Sequence, residues 1–150
     1  MESELPQRAK KSGTAKIRSA AFQRIRTDHS SELAEDYVEL IADLIDEKGE
    51  ARGSEVAMRL GVANATVVKT LKRLQDGGLV TQAPYRSIFL TGDGWKMAED
   101  GRRKHKIVEA FLLAHGISEE TARMDSEGIE HHVSEETLKA MARFLARKGS

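Results

Sequence analysis

The stretch RGSEVAMRLGVANATVVKTLKRLQDGGLV, residues 52–80, decides the fold. Its apolar residues recur at helical spacing on both sides of Gly61. Gly61 allows a tight turn, because a residue without a side chain adopts backbone angles that other residues avoid. Two short helices around such a turn predict a helix-turn-helix. The apolar positions are Val56, Ala57 and Leu60 in the first helix and Val67, Val68, Leu71 and Leu74 in the second.

A hairpin follows the two helices. We expect Ser54 to cap the first helix and Asn64 the second, which runs to about Gln75, because their short polar side chains satisfy free backbone N–H groups. Residues 79–82 and 88–91 are β-branched or apolar runs on either side of a Pro-containing segment, which predicts two antiparallel strands. A helix-turn-helix followed by a hairpin is a winged helix.

Further helices are predicted on both sides of this unit. Upstream, apolar residues at 3.6-residue spacing predict a helix from Ser30 or Ser31 to Lys48. Residues 1–30 are basic and poor in large apolar side chains, which predicts a flexible N-terminal extension. Downstream, the pattern predicts a helix capped by Thr91 and bent or interrupted at Gly101, short helices over residues 118–123 and 127–132, and a last helix from Ser134 to about Ala146.

The composition excludes several classes of site. The 150 residues include no cysteine, which rules out disulfides, thiolate metal sites and cysteine nucleophiles and fits a cytoplasmic protein. No apolar run approaches the roughly 18–20 residues of a membrane span, so we expect no membrane association. A net charge of zero hides a net +4 in residues 1–30, six basic against two acidic groups in residues 52–86, and seven acidic groups against one Arg in residues 117–137. This asymmetry predicts two partners, a polyanion and a cation.

The basic winged helix predicts an interface with double-stranded DNA. Side chains near the N-terminus of a recognition helix meet base edges in the major groove, and nearby cations bind phosphates. A winged helix that binds another protein is the alternative. The candidate DNA-binding residues are Ala63, Asn64, Thr66, Val67, Lys69, Lys72, Arg73 and the wing residue Arg86.

The acidic C-terminal segment contains a candidate metal site. Glu127, Glu130 and His131 stand at i, i+3 and i+4, so that their side chains project from one face of a helix. Two carboxylates and an imidazole suit a divalent first-row metal, and Mn²⁺ and Fe²⁺ favour oxygen-rich, six-coordinate sites. Spacing alone leaves open whether other ligands converge there, and a solvated acidic face is the alternative. The candidates for the other ligands are Asp36, Glu39 and His105.

Four segments carry a resemblance to a known family: DYVE at 36–39, LTGDG at 90–94, His105, and DSEGIEHHVS at 125–134. They occur in the family's order and at matching distances. Over residues 30–147 the chain resembles the diphtheria toxin repressor family, and most closely its manganese transport regulator branch. In that family a winged helix leads into a helical dimerisation domain, and metal is bound between the two.

The resemblance implies a mainly α fold, with a winged helix-turn-helix and a small β-hairpin wing at residues 31–98 and an all-α metal-binding and dimerisation domain at 99–150. It implies a repressor of manganese uptake genes that responds to Mn²⁺ and acts as a homodimer on a palindromic operator. Iron-dependent relatives place Met and Cys where this chain has Asp36 and Glu127, so the two carboxylates favour Mn²⁺. The ligands that it implies, for two Mn²⁺ per subunit, are Asp36, Glu39, His105, Glu127, Glu130 and His131.

Three alternatives stay open: an Fe²⁺-responsive repressor, a di-metal hydrolase, and a winged helix that responds to a small organic ligand. No nucleophile or general base can be identified for a hydrolase, so we expect neither an enzyme nor an organic substrate. The expected mechanism is a population shift. Without metal the carboxylates repel one another and the two domains move, whereas the metal-bound state fixes the spacing of two recognition helices.

Overall fold

The computed structural model describes residues 4–82 and 86–149, and within them the side chains of residues 14–20 and of residue 30 onward. It divides into two units, Met1–Glu32 and Leu33–Ser150. The predicted fold class, mainly α with a small two-stranded wing, is confirmed. The elements are α1 (Glu4–Lys48), α2 (Gly53–Leu60), α3 (Asn64–Asp76), β1 (Val80–Thr81), β2 (Phe89–Leu90), α4 (Gly92–Ala114), α5 (Glu119–His132) and α6 (Glu135–Lys148).

Helix α1 begins at Glu4, so the predicted start at Ser30 or Ser31 is wrong. Half of residues 4–29 are Ala, Arg, Lys or Gln, which favour helix, and their one proline stands in the first turn, where it is tolerated. Apolar periodicity marks only the part of a helix that packs against a core, which is why it missed this start. The flexibility of residues 1–30 stays a prediction.

Helices α2 and α3 form the predicted helix-turn-helix. Gly61 takes a φ of 67° at the turn, in the left-handed region that favours glycine. The predicted caps are wrong. Helix α2 starts one residue before Ser54, because the Arg52 carbonyl accepts from the Val56 N–H at 3.0 Å. Asn64 is the first residue of α3, and neither helix has a side-chain cap at its N-terminus.

The wing is a short antiparallel pair in which Val80 lies opposite Leu90 and Thr81 lies opposite Phe89. The strands are shorter than predicted, but an isolated bridge between Ala51 and Ile88 extends the pairing toward the end of α1. The backbone N–H of Ile88 donates to the Ala51 carbonyl at 2.8 Å. The wing is therefore fixed to the helical core at its base.

One hydrophobic core joins α1 to the winged helix. Tyr37, Ile41 and Leu44 of α1 are buried in it, and each fully buried aliphatic side chain contributes roughly 1.5–3 kcal/mol. A second small cluster places Val38 and Ala42 of α1 against α4. Helix α1 is therefore an integral part of the winged-helix fold. The residues that complete the main core are Ala51, Val56, Ala57, Val67, Leu71, Leu74, Val80 and Ile88.

An ion pair also connects α4 with α1. Arg102 donates to Asp43 at 2.7 Å and to Asp46 at 2.9 Å, on side chains that are well exposed. Exposed pairs contribute only about 0–1 kcal/mol, so this bridge orients the helices more than it stabilises them.

The C-terminal helices are longer than predicted. Helix α4 passes Gly101 without interruption, and α5 is one helix where two were predicted, because an exposed helical glycine such as Gly128 costs only about 1 kcal/mol. Thr91 and Ser134 cap α4 and α6 as predicted, with their hydroxyls accepting from Gly94 and Thr137. Helix α4 packs against α5 and α6. Across the described residues, every helix is too short or too polar to cross a membrane.

Candidate metal centre and DNA-binding face

His131 joins α5 to α1. Its Nδ1 lies 2.5 Å from Oε2 of Glu35, and its Nε2 lies 2.9 Å from Oδ1 of Asp36. The imidazole is only 3% exposed. Both carboxylates belong to α1, where the next residue, Tyr37, is buried in the core. His131 therefore contacts α1 directly beside Tyr37, a residue of the winged-helix core.

His105 joins α4 to α5 in the same way. Its Nδ1 lies 2.8 Å from Oε2 of Glu130, and its Nε2 lies 2.8 Å from Oε2 of Glu109, one turn further along α4. The Glu130 side chain is 4% exposed, and its other oxygen lies 3.6 Å from Nε2 of His131. Glu130 therefore stands between the two imidazoles.

The carboxylate of Glu39 also lies in this cluster, and one of its oxygens makes no hydrogen bond among the described residues. That oxygen, Oε1, is buried. It occupies the space that Gly101 leaves open on α4, since a Cβ on that glycine would lie 1.8 Å from this oxygen. An unpaired buried acceptor is destabilising, by roughly 1–3 kcal/mol, unless a ligand satisfies it. This oxygen is therefore oriented as a ligand would be.

Three groups of the cluster have raised pKa values. Burial, followed by the nearby Glu130, raises the pKa of Glu39 to about 8. Burial also raises the pKa of Glu130, against the opposing effect of His105 and His131. Burial alone would lower the pKa of His131, but hydrogen bonds to Asp36 and Glu35 outweigh it and raise that pKa to about 10. Protons are held where a divalent cation would neutralise the same carboxylates.

The structure brings five of the six candidate ligands into one cluster: Asp36, Glu39, His105, Glu130 and His131. Their donors are carboxylate oxygens and imidazole nitrogens without sulfur, and this set, with the unsatisfied oxygen of Glu39, fits Mn²⁺ or Fe²⁺. The sixth candidate, Glu127, is exposed and makes no hydrogen bond or ion pair within residues 4–82 and 86–149. Its role as a ligand stays a prediction.

Three residues of the cluster were missed by sequence reasoning. Glu109 follows His105 at i+4, a spacing that could have identified it. Glu35 precedes Asp36, and neighbours on a helix point about 100° apart, so no pattern shows that both reach one imidazole. Gly101 was interpreted only as a helix bend. Its role depends on Glu39, which is distant in sequence and lies on another helix.

All but one of the candidate DNA-binding residues lie on the surface, and their contact with DNA stays a prediction. Val67 is the exception, because it is 1% exposed and belongs to the core. The exposed neighbour is Val68, at 67%, which was predicted to be apolar core. The core requires i, i+4 and i+7 spacing, and Val67, Leu71 and Leu74 have it whereas Val68 does not. The candidate residues that are exposed are Ala63, Asn64, Thr66, Lys69, Lys72, Arg73 and Arg86.

Three cations on this helix are available to a polyanion. Lys69, Lys72 and Arg73 make no ion pair with any carboxylate in the part of the chain that the structure describes. In contrast, Lys48 at the end of α1 and Arg59 on α2 both pair with Glu55. Helix α3 therefore presents three cations that phosphates could bind.

Two family models match this chain. The model of the iron dependent repressor N-terminal DNA binding domain matches residues 29–88, and that of the iron dependent repressor metal binding and dimerisation domain matches residues 91–148. The chain belongs to the iron-dependent repressor family. The predicted resemblance to the diphtheria toxin repressors is thereby confirmed.

Curated relatives and solved structures refine the placement within this family. The chain is 54% identical over 129 residues to the transcriptional regulator MntR of Escherichia coli O6:H1 (strain CFT073), a match that covers 86% of this chain and 83% of that relative. It is also similar to the structure of the manganese regulator SloR, with a TM-score of 0.67 and 26% identity. A manganese-dependent transcriptional repressor in complex with manganese gives a TM-score of 0.68 and 25% identity. Each alignment covers 75% of this chain but only 53% and 52% of the solved ones, about half their length.

Proposed function

We propose that this family member is a Mn²⁺-responsive transcriptional regulator that represses manganese uptake genes. The observation that carries the proposal is the double use of helix α1. The last third of this helix carries Asp36 and Glu39 to the proposed metal cluster, and its neighbouring residues Tyr37 and Ile41 are buried in the winged-helix core. A change in the cluster therefore acts directly on the helix that supports DNA binding.

The residues of the cluster suggest how the switch works. Asp36 and Glu39 on α1 lie near Glu130 on α5, so that burial and repulsion between the carboxylates raise the pKa values of Glu39 and Glu130 when no cation is bound. A bound divalent cation would supply the positive charge that lets these carboxylates share one site. His131 already connects the two helices through its contacts with Glu35 and Asp36. DNA affinity rises only if the closed arrangement binds metal more tightly than the open one.

The donor set favours Mn²⁺ over Fe²⁺, and the relatives with the printed names MntR, SloR and manganese-dependent repressor support this choice. Two metal ions per subunit, with Glu127 as a further ligand of the second, are part of the proposal. The membership in a repressor family, with relatives named as transcriptional regulators, opposes the hydrolase alternative.

The proposal also covers assembly and location. The family's metal-binding and dimerisation domain supports a homodimer, and two recognition helices related by a twofold axis would bind a palindromic operator in double-stranded DNA. We place the protein in the cytoplasm and divide the chain into an extension at 1–30, the winged helix at 31–98 and the dimerisation domain at 99–150.

A metal titration of DNA binding tests the proposed function. A duplex selected by the Mn²⁺-loaded protein from a random library serves as the operator, and its affinity is measured with Mn²⁺, with anaerobic Fe²⁺ and with chelator. We expect a 5- to 150-fold gain with Mn²⁺, the range of typical allosteric coupling. Glu130→Ala, which removes the carboxylate between the two imidazoles, should abolish the gain. Equal affinities with and without metal would overturn the proposal, and a larger gain with Fe²⁺ would make this an iron sensor.

A further inference from the structure

The two imidazoles of the cluster are each held by a carboxylate from outside the proposed ligand set. For His131 this carboxylate is Glu35, whose Oε2 lies 2.5 Å from Nδ1, while Nε2 faces the candidate ligand Asp36 at 2.9 Å. The imidazole is 3% exposed and the Glu35 side chain is 18% exposed. This ring therefore has little freedom to rotate: Nδ1 faces Glu35, whereas Nε2 faces two candidate ligands, Asp36 and, at 3.6 Å, Glu130.

His105 shows the same arrangement with the nitrogens exchanged. Its Nδ1 faces the candidate ligand Glu130 at 2.8 Å, and its Nε2 faces Glu109 at 2.8 Å. Glu109 stands one turn after His105 on the same helix, so this hydrogen bond is local to α4. The bond between Glu35 and His131, in contrast, spans 96 positions of sequence and connects α1 with α5.

We propose that Glu35 and Glu109 are positioning residues that decide which imidazole nitrogen binds the metal. Glu35 accepts the Nδ1–H of His131 and leaves Nε2 as the ligand atom. Glu109 accepts the Nε2–H of His105 and leaves Nδ1 as the ligand atom. This inference rests on the proposed metal site, and it assigns roles to two residues outside the proposed ligand set.

Simple geometry favours a positioning role over direct ligation. The two nitrogens of an imidazole point in divergent directions, so a carboxylate bonded to one nitrogen lies across the ring from a metal at the other. Histidines that bind metal commonly donate their second N–H to a carboxylate, which fixes the tautomer and increases the basicity of the ligand nitrogen. Both imidazoles have this arrangement even though their helices and their ligating nitrogens differ.

The two positioning residues should differ in their effect on DNA binding. Glu35 belongs to α1, one residue before Asp36 and two before the buried Tyr37, so its bond to His131 also holds α5 to the DNA-binding fold. Glu109 holds only a residue of its own helix. Loss of Glu35 should therefore weaken both metal binding and the metal-dependent gain in operator affinity, whereas loss of Glu109 should weaken metal binding alone.

Nitrogen NMR of the full-length protein tests the assignment directly. Histidine ring nitrogens are labelled with ¹⁵N and observed with Cd²⁺ as a diamagnetic probe. We expect a metal-bound Nε2 and protonated Nδ1 at His131, and the reverse at His105. Glu35→Ala should lower Mn²⁺ affinity by about 10- to 100-fold and make the ligating nitrogen of His131 mixed. Glu35→Gln should recover part of both effects, because its amide oxygen still accepts the N–H.

A matched control separates positioning from a general loss of negative charge. Glu99→Ala removes one exposed carboxylate from α4, which should leave Mn²⁺ affinity within about twofold and both ring assignments unchanged. If Glu35→Ala does not fold, the wild-type spectrum and Glu35→Gln still decide the question. Metal bound through Nδ1 of His131, or wild-type Mn²⁺ affinity in Glu35→Ala, would overturn the inference.

Failure of the proposed function gives a different result. If operator affinity ignored Mn²⁺ while the spectra showed the expected nitrogens, the regulatory proposal would fail and the positioning roles would stand. The opposite result, metal-dependent DNA binding with the wrong nitrogens bound, would remove the positioning roles and leave the regulatory proposal intact.

Discussion

Replacing Gly101 with alanine would place a single methyl group beside the carboxylate of Glu39. The new Cβ would lie 1.8 Å from Oε1, whereas ordinary contact begins at 3.4 Å, so the carboxylate must move by about 1.6 Å. Metal–ligand distances hold to within about 0.2 Å, so Glu39 could no longer serve as a ligand in its present position. We expect Mn²⁺ affinity to fall by at least about 10- to 100-fold.

The same substitution should not lower the free energy of unfolding of the metal-free protein. The atom that must move is the end of a flexible side chain, and alanine in a helix interior is favoured over glycine by about 0.5–1 kcal/mol. The free energy of unfolding of Gly101→Ala, from urea titration in chelator, should therefore match or exceed that of the wild type. If the carboxylate of Glu39 moves out toward water, its unsatisfied oxygen is no longer buried, which also raises the free energy of unfolding.

Calorimetric Mn²⁺ titration and urea unfolding together check this prediction. Gly128→Ala is the matched control, because this helical glycine has open space around its missing Cβ. It should gain similar stability and keep wild-type Mn²⁺ affinity. Unchanged Mn²⁺ affinity in Gly101→Ala would refute the argument that the glycine makes room for a ligand, and a large loss of stability would show that Glu39 cannot move aside.

Three further predictions concern pH, the core and the DNA-binding face. Because the pKa values of Glu39 (about 8) and His131 (about 10) are raised in the metal-free cluster, both groups hold protons at pH 7, and metal must displace them. Mn²⁺ affinity should therefore increase with pH from 6 to 8, by about tenfold per unit for each displaced proton, and calorimetry in buffers of different ionisation enthalpy should show proton release. Val67→Ala should lower the free energy of unfolding by about 2 kcal/mol, whereas Val68→Ala should change it by less than about 0.5 kcal/mol, and equal urea midpoints would contradict the burial assigned to the two valines. Lys72→Ala should reduce the slope of log affinity against log salt for DNA by about 1, and a slope that does not change would remove Lys72 from the phosphate contacts.

The winged helix could be predicted from local patterns because its helices and turn depend on residues that are close in sequence. Gly61 and the apolar positions of α2 and α3 are examples. The start of α1 could not be predicted in this way, since residues 4–29 favour helix by propensity but lack an apolar stripe. Val67 was wrongly predicted to lie on the DNA-binding face and Val68 in the core, for a related reason. Two adjacent valines are equally apolar, and only the position of the core distinguishes them.

Only part of the candidate metal-binding cluster could be predicted from the sequence, and the reason is different. Glu130 and His131 form a recognisable pair with Glu127, but the convergence of Asp36 and Glu39 depends on how α1 packs against α4 and α5. That packing brings together residues some 90 positions apart, and here the family resemblance supplied what spacing could not. Glu35 and Gly101 carry no local signal, because each acquires its role only through a partner on another helix.

The proposed switch requires that Mn²⁺ and operator DNA bind to one and the same arrangement of α1. Thermodynamic linkage then requires that the operator raise Mn²⁺ affinity by the same factor by which Mn²⁺ raises operator affinity. The most direct test is to measure the Mn²⁺ dissociation constant of the wild-type protein free and saturated with the selected duplex. We predict a 5- to 150-fold tighter Mn²⁺ site in the complex, equal to the factor found for DNA. An unchanged Mn²⁺ dissociation constant would contradict the account.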